Sequence, residues 1–378
     1  MNMLKSFPFQ ERNYNFHGLL RFRLRSSSPE ALHHFDVEYG HYRQEGGDPA
    51  DLEVIVDPIG IAPWSQSRST HLSKLATEDE VIAGTGRHKV ARWRFAIQGL
   101  ADQQTRFYCA AGPLSMDFLH NRYVEQLLRF KLAPRGYTLV HGCCISKEGT
   151  SVLLPGLSHV GKTSTALGMV CRGWQYLADD YTFVGADGQT HSYLSRLNIS
   201  NHVPDRYPET LTVKPRHRLS LACKHAMYTL SFRYVDFPEP LSIHDLAPTA
   251  VIAESARLGR VILLSSSDGL QLEGPFPVSR DKAVDRMLAI NQWEGRHFHE
   301  LLSTHAAGTT RRSLDTWLVR ERQVLQAALR GVACYELFVP RQTTDFQALL
   351  DQTCHVVEQV SDDRPAQPES SGLAETGG

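Results

Sequence analysis

Residues 152–163 read Val152-Leu153-Leu154-Pro155-Gly156-Leu157-Ser158-His159-Val160-Gly161-Lys162-Thr163. The last eight follow G-x-x-x-x-G-K-[ST], between an apolar run suited to a strand and a run suited to a helix. Glycines at both ends let the backbone N–H groups of Gly156, Leu157, Ser158, His159, Val160 and Gly161 turn inward around a polyphosphate. The helix that follows, with Ser164 in its first turn, presents its positive end to the same charge. Lys162 is placed to neutralise phosphate oxygens and the Thr163 hydroxyl to meet Mg²⁺. The stretch therefore predicts an α/β nucleotide-binding core for ATP with Mg²⁺.

Seventeen residues after Lys162, the apolar segment Leu177-Ala178 ends in Asp179-Asp180. Adjacent side chains on an extended backbone point to opposite sides, so one carboxylate can face metal while the other faces an acceptor as general base. A solvated acidic turn is the plain alternative, and the neighbouring phosphate loop weighs against it. Upstream, His141-Gly142 lies in the strand-like run Tyr137–Ile145.

Working outward, a short strand is expected over Ser151–Leu154, a helix from Lys162 toward Cys171, and strands over Gln175–Ala178 and Tyr181–Val184. This alternation predicts mixed α/β architecture. On the N-terminal side, Leu20–Leu24, Leu52–Val56 and Val90–Ile97 read as strands and Gln44–Asp51 as an acidic loop. A helix with apolar positions at Leu119, Tyr123, Leu127 and Phe130 is expected, capped by Ser115 and ended by Pro134–Gly136. These elements predict a strand-rich α+β domain over 1–114, a nucleotide-binding domain over 115–360 and a disordered tail over 361–378. Later, Met227–Phe232, Arg260–Leu264 and Val332–Val339 read as strands, and Ala283–Gln292, Arg312–Leu329 and Thr344–Val360 as helices.

The order His141-Gly142, the loop 156–163, Arg172-Gly173 and Leu177-Ala178-Asp179-Asp180 resembles the HPr kinase/phosphorylase C-terminal domain and its HPr-kinase-like relatives. The resemblance implies a fold like that of phosphoenolpyruvate carboxykinase and phosphorylation of a serine hydroxyl by ATP. It implies Lys162 and Thr163 as phosphate and metal contacts, Asp179 as general base, Asp180 as a metal contact and His141 as a phosphate-side catalytic residue. The two Asp roles are exchangeable at this level. The chain departs from the family pattern at His159, which replaces a glycine where the backbone tends toward positive φ, and which sets a titratable group beside the phosphates. It departs again at 201–208, where the family's glycine-rich second signature is missing. That loss implies a kinase without efficient phosphorylase activity and an acceptor other than HPr.

Composition bounds the alternatives. The 378 residues carry 40 Lys+Arg against 41 Asp+Glu, a net charge of -1, which argues against nucleic acid or an acidic membrane as partner. No run of apolar residues is long enough for a membrane helix. Seven cysteines without a C-x-x-C pair favour a reducing cytoplasm, and Cys143-Cys144 reads as two small buried residues. Lys214, Arg216, His217 and Arg218 form a basic cluster, read as a solvated loop or a phosphate contact; Arg311-Arg312 is similarly ambiguous. Among the 18 histidines, His33-His34 and His297 with His299 lack a full ligand set in the local sequence. The expected partner is a protein or peptide with a serine hydroxyl, and a homo-oligomer is left open. Rival readings are a small-molecule hydroxyl kinase and a nucleotide-binding regulatory module without turnover.

Overall fold

The computed structural model describes residues 9–56, 81–89, 91–199, 214–230, 239–305, 308–341, 343 and 345–362. Two large sheets dominate. The first contains β1 (Gln10–Phe16), β2 (Leu20–Ser26), β3 (Arg43–Gln44), β4 (Leu52–Val56), β5 (Val81–His88), β6 (Ala91–Gln98) and β7 (Thr105–Ala111), in the order β3-β1-β2-β4-β7-β6-β5. β2, β4 and β7 run parallel and the rest pair antiparallel. The alternation in β2, with Leu20, Phe22 and Leu24 buried and arginines between them, gives one core face and one polar face. Helix α1 (Pro29–Tyr39) covers the core face, begun by Ser28 accepting from Ala31 N–H.

Between the sheets the chain forms α2 (Pro113–Leu119), a π-helical turn (His120–Val124) and α3 (Glu125–Leu132). The expected division at 114/115 falls inside α2. Ser115 does not cap this helix: Gly112 precedes it, and the Ser115 hydroxyl donates to the Arg92 carbonyl at 2.8 Å. The reason is geometric, since Pro113 already occupies the first turn. Gly136, at φ 77°, turns the chain into the second sheet, as expected of a helix end here.

That sheet contains β8 (Tyr137–Lys147), β9 (Thr150–Pro155), β10 (Gln175–Ala178), β11 (Tyr181–Gly185), β12 (Gln189–His191), β15 (Ser255–Ser267), β16 (Glu273–Val278) and β17 (Ala333–Pro340). β9 pairs with both β8 and β15, so the pairings β8–β11–β12–β15–β9 close into a ring. β9, β15 and β17 are mutually parallel along β15. β8 is buried from Thr138 through Ser146, and the Cys143 and Cys144 side chains are both inside it. β13 (Leu197–Ile199) and β14 (Glu239–Leu241) pair separately. The remaining helices are α4 (Lys162–Cys171), α5 (Pro215–Leu230), α6 (Ile243–Leu246), α7 (Arg280–Glu294), α8 (Arg296–His305), α9 (Gly308–Ala328) and α10 (Phe346–Asp362).

One apolar cluster runs continuously from Tyr14 and Phe107 of the first sheet through Leu127 to Phe183 and Val261 of the second. A second joins α4 and α10 to the other face, with Met169, Leu154, Leu337 and Cys354. Several expectations need correction. Met227 to Leu230 close α5 rather than forming a strand, because the chain is helical from Pro215; residues 231–238 lie outside the described residues. Arg311-Arg312 lies inside α9, not at its start. Helix α10 runs through Ser361 and Asp362, and the rest of the expected tail lies outside the described residues.

Candidate active site

The phosphate-loop segment leaves the carboxyl end of β9 and enters α4. Gly156 bridges to Leu264 of β15, and a Cβ there would meet Val160 Cγ1 at 2.7 Å and the Leu264 carbonyl at 2.9 Å. His159 and Gly161 both have positive φ, 68° and 98°. Gly161 caps α4 without a side-chain hydrogen bond, so the N–H groups of the first turn stay available to an anion.

Lys162 is buried and folded back over the loop. Its Nζ donates to the carbonyls of Gly156 at 2.9 Å and Leu157 at 3.0 Å, and to His141 Nε2 at 3.1 Å. Burial first, then Lys162 and Arg129, hold the His141 imidazole well below its ordinary range, so the neutral ring accepts that proton. The His141 backbone N–H donates to Asn291 Oδ1 at 2.9 Å, and its Nδ1 is buried with no partner among the described residues. Gly142 is required where β8 and β9 approach: a Cβ there would meet Pro155 Cα at 2.8 Å.

Thr163 Oγ1 donates to Asp179 Oδ2 at 3.0 Å. Asp179 Oδ1 is buried and has no partner among the described residues. Burial, then the adjacent Asp180, raise the Asp179 carboxyl to about 7, against opposing pulls from Thr163 and Lys162. Burial also raises Asp180, and Lys162 pulls it back. Asp180 is the more accessible of the two. An orphaned carboxylate oxygen beside a hydroxyl is a fitting pair of hard ligands for Mg²⁺.

Sequence reasoning missed several groups here. Glu294 accepts from Ser158 Oγ at 3.2 Å and lies 3.7 Å from His141 Nε2. A cavity of about 730 Å³ opens beside Leu157–Val160, at the carboxyl ends of β15 and β17, lined also by Arg286, Trp293, Phe338 and Arg341. Arg286 donates to Ser265 Oγ at 3.0 Å and Arg341 pairs with Asp268 at 3.3 Å. A basic residue just past the last parallel strand was the one available signal. The cluster after Lys214 engages elsewhere: Lys214 pairs with Asp245 at 2.6 Å and His217 with Glu239 at 2.8 Å. It is helical, not a loop, from Pro215 onward.

No family model matches the chain. It is 47% identical over 57 residues to an HPr kinase/phosphorylase of Lactobacillus acidophilus, covering 15% of this chain and 17% of that protein. It is 35% identical over 89 residues to the HPr kinase/phosphorylase of Bacillus velezensis, covering 24% and 28% respectively. The Bacillus subtilis protein of that name is 38% identical over 77 residues, covering 20% and 24%. Over those stretches the chain is HPr-kinase-like. The matches span less than a third of the relatives' own length, so the likeness to HPr kinase/phosphorylase is regional. No described helix is long and apolar enough to cross a membrane.

Proposed function

We propose that this HPr-kinase-like chain transfers a phosphoryl group from ATP, with Mg²⁺, to a hydroxyl, and that the acceptor is a serine of a protein or peptide. The observation that carries the reading is one cluster: Lys162 Nζ against the loop carbonyls and His141, with Thr163 hydrogen-bonded to Asp179. In use, Lys162 exchanges its bonds to Gly156 and Leu157 for phosphate oxygens, and neutral His141 keeps its Nζ aimed. The first-turn N–H groups of α4 bind the same phosphates. Thr163 and Asp179 are the residues that would hold Mg²⁺, which supplies charge neutralisation at the transferring group. Trp293 and Phe338 offer aromatic faces to the base in the adjoining cavity.

The bond between Thr163 and Asp179 favours the exchanged assignment of the acid pair. Asp179 then stands on the metal side, and the more accessible Asp180 takes the proton from the acceptor hydroxyl. Burial raises its carboxyl above the ordinary range, which makes it a stronger proton acceptor than a solvated carboxylate. Residues 1–114 are proposed to select the acceptor. The reverse phosphorylase reaction is proposed to be inefficient, on the sequence at 201–208, which lies outside the described residues. A reducing cytoplasm is proposed on the seven free cysteines.

Transfer of radiolabelled phosphate from ATP to fractionated cell extract tests the activity. Asp180→Asn should keep ATP binding and lose about 10²- to 10⁴-fold in turnover, the usual range for a general base. Asp179→Asn should instead raise the Mg²⁺ concentration needed for half-maximal rate. Wild-type turnover in Asp180→Asn, with Asp179→Asn inactive at every Mg²⁺ level, would return the base to Asp179. Wild-type ATP binding by Lys162→Ala would remove the phosphate-loop reading altogether.

A further inference from the structure

A second polar cluster lies where α1 meets the π-helical turn. His34 and Glu38 are one turn apart on α1 and share a face, and His120 opens the π-turn. One ligand atom from each lies within 4.8 Å of the others. All three are nine-tenths or more buried: the side chains are 9%, 6% and 1% exposed. The local sequence around His33-His34 held no ligand set because Glu38 and His120 complete it only in the fold.

The two rings face each other, His34 Nε2 to His120 Nδ1 at 3.0 Å. Their outer nitrogens are held as they are in metal sites, where a carboxylate or hydroxyl orients each imidazole. His34 Nδ1 lies 3.4 Å from Asp117 Oδ1, and His120 Nε2 lies 2.8 Å from Tyr39 Oη and 3.7 Å from Glu125 Oε1. A tetrahedral ion with metal–nitrogen bonds of about 2.0–2.1 Å separates two ligand nitrogens by about 3.3 Å, so the rings need open by only a few tenths of an ångström.

Charge points the same way. Glu38, Asp117 and Glu125 surround the rings, and the cation set against them is Arg196, which pairs with Glu38 and Asp117. Burial, with Asp117 adding to it against the pull of Arg196, raises Glu38 to about 7, and burial followed by Asp180 and Glu38 raises Glu125 well above its ordinary value. Burial likewise keeps both imidazoles neutral, the form that ligates. Finally, a π-turn is an uncommon distortion that occurs preferentially at functional sites, and here it carries one of the three groups.

We propose that His34, Glu38 and His120 form a binding site for a divalent transition-metal ion of the zinc class, fastening α1 to the π-turn. On binding, the proton between the rings moves to the outer nitrogen of His120, and any proton on Glu38 leaves to solvent. Two nitrogens and one carboxylate suit Zn²⁺, and Co²⁺ reports such a site by its visible absorption.

The test uses the full chain, stripped with chelator and titrated with Co²⁺ in the presence of excess Mg²⁺. The expected result is one equivalent bound with an intense visible band, displaced by Zn²⁺, and a rise in thermal midpoint. His34→Gln and Glu38→Gln should each weaken binding by about ten- to a hundredfold, as loss of a supporting group does at least. Asp179→Asn, at the phosphate loop, should leave the band unchanged. A folded, cooperatively melting wild-type chain that gives no such band would overturn the proposal. So would a band that survives in His34→Gln and disappears in Asp179→Asn.

Discussion

At the level of single residues, the backbone of the loop sets a condition that composition alone does not reveal. His159 is held at φ 68° in the left-handed region, where a Cβ crowds the following carbonyl and a β-branched side chain is worst placed. His159→Ile should therefore destabilise the chain, by the extra crowding of a β-branched side chain beyond the left-handed cost that histidine already bears, whereas His159→Gly should be near neutral because relief of strain offsets its larger chain entropy. Denaturant melts of the three proteins check this; an Ile variant as stable as wild type would mean that the loop is free to leave that conformation. The Gly-to-His departure was visible in the sequence because the loop's demands fall on neighbouring residues. Glu294 was not, since it reaches Ser158 from 136 residues away and a lone glutamate in a helix carries no local sign of that role.

Among the elements, the strands around the phosphate loop were readable because they are continuous apolar runs buried on both faces. The apolar positions of α5 misled: Leu219, Met227 and Leu230 are all exposed, so period and burial part company there. The π-turn was also hidden, since Leu119, Tyr123 and Leu127 keep a helical spacing across it. What ties these elements together is equally non-local. Arg129 of α3, fully buried, makes paired bonds of 2.6 Å to Glu321 of α9, which also accepts from Thr138 of β8. Arg129 further donates to the carbonyl of Asn291, the residue whose side chain holds the His141 backbone. Glu321→Gln leaves a buried guanidinium short of its counter-charge and should cost about 3–5 kcal/mol. The double replacement Arg129→Met with Glu321→Leu should cost less than the single change, as a double-mutant cycle in urea would register. Equal losses from both would mean that packing, not charge, joins α3 to α9.

For the whole molecule, neutrality of 40 basic against 41 acidic residues conceals how unevenly charge is buried, and that unevenness governs its response to acid. His299 illustrates the effect away from both proposed sites. Its ring stacks on Trp317, centroids 4.9 Å apart, and burial followed by Arg129 pushes its pKa from 6.5 down to about 4. Because the folded value lies below the unfolded one, the unfolded chain binds more protons between them. Stability is then complete above about pH 6.5 and is lost as pH falls toward 4. A shift of this size corresponds to about 3 kcal/mol in total, and to about 2 kcal/mol between pH 7 and pH 5. His299→Phe keeps the stack on Trp317 and has no proton to gain. It should reduce the difference between urea melts at pH 7 and pH 5 by about 2 kcal/mol, while the other buried histidines keep their share. An unchanged difference would show that His299 charges as readily in the fold as in the open chain, and that the acid response arises elsewhere.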